Sequence, residues 1–386
     1  MKEQITYDIF DKIDIRVGTV ISVKKNEKAR KPSLVVVVDF GKEIGIKQSS
    51  AQITHYYNEE NLKGKQVIGV CNFAEKNIAG VVSQVLILGS IDKDGKVILV
   101  HPSHTRDYWR ALLGGFLSQK PIDKIIITHH HVDHIGFASE LAQMTGVDCY
   151  TSAAEKEHGQ FLFNLSARDF SDLLASHYTR YGLPEAEIVL GRNDSDRYRR
   201  FVPELPDFKE FSETNEIKGC NSQWQCRLDS GHSSGQISLM NAAESLFLPT
   251  DFLLPRISPN ISADMRNSDK DVLGDYLNYL KEMSNLSPAI KIYPGHDWPF
   301  KNGNDRAQAL INHHNQRLEL LLSAAKLRPI STSDGIDILF NRRFESHELF
   351  FASGESRAHL THLMHQGKLE KTTEIRNGYE VDIFIA

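Results

Sequence analysis

Cysteine is scarce in this 386-residue chain, with four residues at positions Cys71, Cys149, Cys220 and Cys226 and no C-x-x-C pair. That scarcity excludes a disulfide-stapled scaffold and points to a reducing compartment, so a cytoplasmic protein is expected. No apolar run approaches the roughly 20 residues that span a bilayer, so no membrane partner is expected. Met1 to Phe10 lack a basic stretch followed by an apolar one, and no signal peptide is expected there. Ser/Gly-rich and low-complexity runs are missing too, which leaves no flexible linker between domains. No persuasive Ser-His-Asp arrangement offers nucleophilic catalysis. What remains is ordinary globular composition, 40% hydrophobic and 25% charged, long enough for two or three domains.

Charge is unevenly distributed. Up to Thr105 there are three more basic than acidic residues, whereas the whole chain carries −5, so the remainder carries minus eight. The shift marks a boundary near residue 105 and hints at an anionic partner for the first part.

The densest chemistry lies in Thr128-His129-His130-His131-Val132-Asp133-His134, where His129, His131, Asp133 and His134 fit H-x-H-x-D-H after the strand-like Ile125-Ile126-Ile127. Imidazoles and a carboxylate suit Zn²⁺ when thiolates are absent. Alternate residues of an extended segment face one way, so His129 and His131 can grip one ion together. Asp133 and His134 fall at the turn into a helix expected over Ile135 to Met144 and can reach a second ion. Further candidates sit where strands end: His232 in Ser230-Gly231-His232, Asp251 after Leu246 to Thr250, and His296 in Pro294-Gly295-His296-Asp297. Singly, each is more simply a structural histidine or a turn aspartate.

Together the set resembles the metallo-β-lactamase superfamily. The resemblance implies an αβ/βα sandwich with two zinc ions per chain. One would be held by His129, His131 and His232, the other by Asp133, His134 and His296, with Asp251 bridging. The implied reaction is metal-assisted hydrolysis, in which hydroxide attacks an ester, thioester or phosphodiester and Asp133 both ligates and orients the nucleophile.

The first hundred residues read as all-β. Strands are expected at Ile15 to Val23, Ser33 to Phe40, Gln66 to Asn72, Val81 to Leu88 and Lys96 to Val100, with turns at Asp39-Phe40-Gly41 and Asp92-Lys93-Asp94-Gly95. Five strands and one helical insert fit an OB-fold barrel. Asp14-Ile15-Arg16-Val17-Gly18, Ala29-Arg30-Lys31-Pro32, the run Ile44 to Thr54 and Asn72-Phe73 resemble the CsaA-type tRNA-binding domain. That family implies tRNA or another single-stranded RNA as partner, a homodimer formed through the barrel, and for some members a chaperone role. Arg16, Arg30, Lys31, Lys47 and Lys76 could supply phosphate contacts, while Ser49, Ser50 and Gln52 could bond to bases or sugars. One departure is Ala74-Glu75, where relatives usually carry prolines.

The expected fold class is therefore multidomain α+β: an OB-fold β-barrel over residues 1–104, an N-terminally truncated metallo-β-lactamase-like domain over 105–325, and a winged-helix-like module over 326–386. At the junction, Arg106 to Leu117 resembles the first helix of the hydrolase, and the strands that usually precede it are missing. Helical patterns fill Ala153 to Tyr181 and Asp194 to Arg200, from which Phe161, Phe163 and Tyr181 could line a pocket. Arg256, in Leu254 to Asn260, could meet an anionic group, and Arg342 and Arg343 could touch nucleic acid. His359 and His362, spaced i and i+3, read as surface or packing histidines.

Two function classes are consistent with these residues. One is a zinc-dependent hydrolase of a small acyl ester, a thioester or RNA that carries a tRNA-binding domain. The other is a tRNA-binding, chaperone-like protein whose truncated hydrolase part is inactive or weakly active. Both require the barrel to bind RNA. Filter binding of tRNA across a salt series should show affinity falling steeply as salt rises, because phosphate contacts release counterions.

Overall fold

Valines alternate between core and surface in the first strands. In the pair β1 (Ile15–Lys25) and β2 (Leu34–Asp39), Val20, Val36 and Val38 are buried while Val35 and Val37 are half-covered, the period of two that one packed face produces. The computed structural model describes residues 12–91, 97–99, 109, 113–115, 122–193, 201–212, 217–219, 222–340, 342, 344 and 346–386. The chain divides into two compact units, Met1–Phe116 and Leu117–Ala386.

In the first unit, β3 (Ile46–Ala51), the helical turn α1 (Glu59–Leu62), β4 (Gln66–Val70) and the short strands β5 (Lys76–Ile78), β6 (Val81–Ser83) and β7 (Leu86–Ile87) follow. The sheet order is β3-β2-β1-β4-β7. It curls into a nearly closed barrel, because Gln84 N donates to Gln48 O at 2.8 Å and Ser50 N donates to Ser83 Oγ at 2.9 Å. Its core gathers Val20, Val36, Val38, Phe40, Leu62 and Val67. A further hairpin pairs β8 (Gly89–Ile91) with β9 (Val97–Leu99). Two expectations are corrected: Ile46–Ala51 is a strand that had been read only as a motif, and the run Val81 to Leu88 breaks into two. The turn Asp92 to Gly95 and most of Arg106 to Leu117 lie outside the described residues.

The second unit is an α/β sandwich. Its first sheet, among the described residues, holds three parallel strands in the order β10 (Ile125–Ile126), β11 (Cys149–Thr151), β12 (Phe208–Glu210), with β10 at one edge. The second runs β13 (Ile217–Gly219), β14 (Ser222–Asp229), β15 (Gln236–Asn241), β16 (Leu246–Thr250), β17 (Lys291–Pro294), antiparallel except for the last pair. Ile237 N donates to Thr128 O at 2.9 Å, linking the segment after β10 to β15. The expected helix after the histidine run is two pieces, α2 (Val132–Ile135) and α3 (Ala138–Thr145). A Cβ on Gly136 between them would lie 2.6 Å from Val132 O and 2.7 Å from Phe201 O, so the chain is pressed too closely there for another residue. Likewise Ala153 to Tyr181 forms α4 (Ala153–Asn164) and α5 (Ala167–Arg180), because Ser166 caps a new start by accepting from Asp169 N at 3.0 Å. Helix α6 (Glu185–Asn193) follows; the helix expected over Asp194 to Arg200 lies outside the described residues.

Helices α7 (Val272–Met283) and α8 (Gly303–Leu327) cover the second sheet. The chain closes with β18 (Ile330–Ser331), α9 (Thr332–Leu339), α10 (Ser346–His365), β19 (Glu370–Arg376) and β20 (Tyr379–Ile385), the strands ordered β18-β20-β19. These last elements have no core of their own. Ile330, Ala358, Leu360, Leu363 and Phe384 share one cluster with Phe247, Leu273 and Leu310. Helix α10 is buried from Ala352 to Leu363 although it carries Glu355, Arg357, His359 and His362, so each needs a partner. Arg357 is wholly buried and binds Asp269 at 2.8 Å and Asp382 at 2.9 Å. Its guanidinium also lies over the rings of Tyr181 and Phe384.

Removing Arg357 would leave the buried Asp382 with Arg180, at 2.5 Å, as its remaining counter-charge, and would empty the space over the rings of Tyr181 and Phe384. Arg357→Ala should lower unfolding stability by about 3 kcal/mol, the lower end for a broken buried pair because Arg180 stays. Arg357→Lys should restore little of it, since a point charge cannot fork between two carboxylates. Urea unfolding of the three proteins checks both.

Candidate metal centre

The strand β10 delivers an extended segment into the histidine run, and alternation aims His129 and His131 the same way. Their ring centroids lie 4.6 Å apart. His232, from the loop between β14 and β15, closes the group at 4.6 Å from His131 and 5.2 Å from His129. A second group joins it: Asp133 and His134 on α2, Asp251 after β16 and His296 after β17. Within each group the candidate ligand atoms all lie within 4.8 Å of one another. Asp251 Oδ2 stands at the middle, 3.2 Å from His296 Nε2, 3.3 Å from His134 Nε2, 3.7 Å from His232 Nε2 and 3.9 Å from His129 Nε2. Asp133 Oδ2 is 3.1 Å from His296 Nε2.

The backbone is forced into this arrangement. Thr250, just before Asp251, has φ 47°, and Asp297, just after His296, has φ 75°. Such conformations cost on the order of 1–3 kcal/mol each and persist only where surrounding structure fixes them. Two glycines make room: a Cβ on Gly295 would lie 2.0 Å from Asp251 Oδ1, and one on Gly231 (φ 137°) would lie 2.6 Å from Tyr276 Cβ.

The ring nitrogens are set for coordination. His232 Nδ1–H donates to Asn260 O at 2.9 Å, which leaves the Nε2 lone pair free. His129 Nδ1 pairs with Thr128 Oγ1 at 3.1 Å. The buried Nε2 atoms of His129, His134 and His232, together with Asp251 Oδ1, have no hydrogen-bond partner. Buried acceptors are normally satisfied, and the three imidazole nitrogens, all within 3.9 Å of Asp251 Oδ2, are what cations would complete. Electrostatics agree. Burial, then the neighbouring imidazoles, holds His129 and His131 well below the ordinary histidine range, and burial lowers His232. Burial alone would raise Asp251 and lower His134, but their mutual contact reverses both shifts. Neutral His129, His131 and His232 and an ionised Asp251 are the zinc-binding forms, while His134, raised by Asp251, gives up its proton to an arriving ion.

Sequence reasoning passed over the middle histidine. His130 is buried, and both its backbone N (2.9 Å) and its Nδ1 (2.6 Å) bond to Glu155 Oε2. The other oxygen of Glu155 accepts from Gly235 N at 2.7 Å. One carboxylate on α4 thus ties the His129–His131 segment to the loop bearing His232. His158, one turn on, stacks against His130 at 4.0 Å and bonds Ser234 Oγ at 2.7 Å. The signal available was Ser152 followed three residues later by Glu155, which reads equally as a helix start.

A cleft of about 570 Å³ opens beside the centre, lined by His131, Asp133, His232, Asp251 and His296 and by apolar side chains. Of the expected pocket residues only Phe163 is among its lining; Phe161 is not, and Tyr181 is buried beneath Arg357. Arg256 is taken by Asp297, its Nε donating at 2.6 Å. His359 and His362 are buried rather than on the surface. His362 Nδ1 pairs with Asp271 at 2.9 Å, and His359 Nε2 lies 3.1 Å from His314 Nδ1. Glu355 joins that pair as a third His/Glu cluster, but Arg317 binds its carboxylate at 2.5 Å. Arg342 bonds Glu348 at 2.7 Å, and Arg343 lies outside the described residues.

On the barrel, Arg30, Lys31, Gln52 and Lys76 are exposed and Lys47 and Ser50 are half-covered. Arg16 is held by Asp14 at 2.5 Å, and Ser50 Oγ accepts from Asn26 Nδ2 at 3.1 Å. Ser49 is buried, opposite Val36, which turns its hydroxyl away from the surface. Glu75 accepts from Gln84 Nε2 at 3.0 Å.

The second unit is thus an α/β sandwich with a three-histidine group beside a histidine–aspartate group, the arrangement of a metal-binding fold. The chain matches the metallo-beta-lactamase superfamily over residues 79–296, more than half its length, and it belongs to that superfamily. It also matches a tRNA binding domain over 15–106 and the metallo-beta-lactamase-like C-terminal domain over 318–379; the first two stretches overlap. A methionine–tRNA ligase from Chlorobium limicola is 40% identical over 101 residues, which is 26% of this chain and 14% of that protein. The chain thus spans about a seventh of the curated relatives it matches. Among solved structures, a beta-lactamase domain protein from Burkholderia ambifaria is 22% identical, covers 92% of this chain and 93% of its own, and has a TM-score of 0.65. A metallo-beta-lactamase family protein from Thermus thermophilus is 19% identical, with 91% and 97% coverage and a TM-score of 0.57. These two likenesses are of fold.

Burial pushes the Glu155 carboxyl upward, but its bonds to His130 outweigh that and lower it to about 2, from 4.5. The stabilisation is complete above pH 4.5 and is lost as pH falls towards 2. Glu155→Gln should lower the melting temperature near neutral pH, and the difference from wild type should shrink between pH 4.5 and 2. Thermal unfolding across that range measures it.

Proposed function

We propose that the chain is a dinuclear zinc hydrolase carrying a tRNA-binding barrel. The observation behind this reading is the gathering of seven His and Asp side chains into two adjoining groups whose candidate ligand atoms lie within 4.8 Å of one another, with the buried Nε2 atoms of His129 and His232 left without a hydrogen-bond partner. His129, His131 and His232 would hold one ion, Asp133, His134 and His296 the other, with Asp251 between them. Bound there, the metals supply a water ionised near neutral pH and a charge that stabilises a developing oxyanion.

The chain's own residues do the rest. Asn260 O and Glu155 fix the two ligand loops, so little reorganisation is needed when charge develops. Asp133 is exposed at the cleft, where its carboxylate can orient a nucleophile and accept its proton. The class of bond cleaved is an ester, thioester or phosphodiester. The barrel would recruit tRNA or single-stranded RNA through Arg30, Lys31, Lys47 and Lys76, as a homodimer, in the cytoplasm. The complete ligand set favours this reading over an inert hydrolase part.

The purified full chain should retain about two zinc ions by elemental analysis and turn over members of an ester and thioester panel. Asp133→Asn should lower kcat about a hundredfold or more. Finding neither metal nor turnover would overturn the reading.

A further inference from the structure

The cleft beside the metal centre has a character that the ligand set does not dictate. Its walls are hydrocarbon: Leu162 and Phe163 from α4, Phe170 from α5, Met265 from the loop before α7, and Phe350 and Phe351 from α10. Three stretches of the second unit, 162–170, Met265 and 350–351, thus aim apolar side chains into one space of about 570 Å³, within the range that holds a small organic ligand. Cations are nearly missing from it. Lys270 is the single lysine or arginine among the described lining residues. Arg266, close by, is turned onto Asp264 at 2.8 Å and Ser234 at 3.0 Å, while Arg256 is engaged by Asp297. Asp264 adds another carboxylate to the wall.

A strand of RNA is bound by a positively charged groove with aromatic faces open to bases. Beyond the metal ions that would sit at its floor, this cleft offers neither a run of basic side chains to track a phosphate backbone nor, with its aromatics half-buried, an open stacking platform. An aliphatic chain, by contrast, gains from every methylene it buries there. We propose that the cleft seats an apolar acyl chain, so that the bond cleaved is an acyl thioester or acyl ester and not a phosphodiester. This rests on the hydrolase reading above. In the reaction, the oxygen of water bonds to the acyl carbon and the C–S or C–O bond breaks. The thiol or alcohol leaves with one proton, and the acid is released as its carboxylate with the other proton passing to solvent.

Helix α10 then has a second role. Phe350 and Phe351 come from the C-terminal elements, so those elements set how long a chain fits. The length limit should respond in opposite directions to a smaller and a larger side chain at position 351.

The test has two arms. In the first, zinc-loaded full chain is assayed with N-acetylcysteamine thioesters from acetyl to dodecanoyl, with bis(p-nitrophenyl) phosphate and a single-stranded RNA alongside. Expected is a kcat/KM that rises roughly fourfold per methylene to a plateau. Phe351→Ala should move the plateau to longer chains and Phe351→Trp to shorter ones. A flat profile, a plateau unmoved by both variants, or faster cleavage of the phosphodiesters would overturn the proposal. In the second arm, the metal-free full chain is titrated with N-phenyl-1-naphthylamine, a neutral fluorescent apolar probe. Alkyl amides from butanamide to dodecanamide should displace it more tightly with length, with the same dependence on position 351. Length-dependent displacement without any turnover would sink the hydrolase reading and leave the acyl site standing. Turnover with no length dependence in either arm would do the reverse.

Discussion

One buried carboxylate decides whether the rest of the metal centre can exist. Glu155 accepts from His130 twice with one oxygen and from Gly235 with the other. The two loops it joins carry His129, His131, Asp133 and His134 on one side and His232 on the other. A carboxylate out of water needs its lone pairs met, and here meeting them requires both loops to sit in one register. Pre-arranged ligands cost less when an ion arrives, so the tie would favour metal binding without touching the ions.

Strain and close packing at the opposite side complete the frame. Thr250 and Asp297 hold backbone angles that side chains rarely adopt, and Gly295 leaves room for Asp251 where any other residue would collide with it. The strands β16 and β17 lie side by side in parallel, so Asp251 and His296 leave neighbouring strand ends together. The C-terminal elements belong to the same structure. Arg357 anchors α10 between Asp269 and Asp382, and the helix that this pairing buries is the one that carries Phe350 and Phe351 into the cleft. Stability of the last sixty residues and the shape of the cleft are therefore one matter.

Much of the candidate site was legible in the chain. The spacing of His129, His131, Asp133 and His134 reflects local geometry, an extended segment running into a helical turn, and local geometry is written in consecutive residues. Asp251 and His296 were recognisable because each follows a strand-like run, and His232 because it lies just before the apolar run Ile237 to Met240. The barrel's alternating valines likewise announced β1 and β2. Misses came where distant contacts outweighed local pattern. The helix after the histidines broke at Gly136 under pressure from Phe201, and Ile46–Ala51 became a strand by pairing with β2. Of the surface and packing alternatives for His359 and His362 the fold takes packing, because His314 and Asp271 reach them from other elements.

The amino-acid order by itself determined the superfamily and the type of side chains offered to a metal, because residue type and spacing are properties of short segments. It also determined that an RNA-binding type of barrel comes first. Tertiary structure alone decided that the seven ligand side chains converge, that Glu155 and His130 brace them, and that three remote segments make the adjoining cleft apolar. Those outcomes depend on which faces meet after folding, and no stretch of sequence carries that information until the chain has packed.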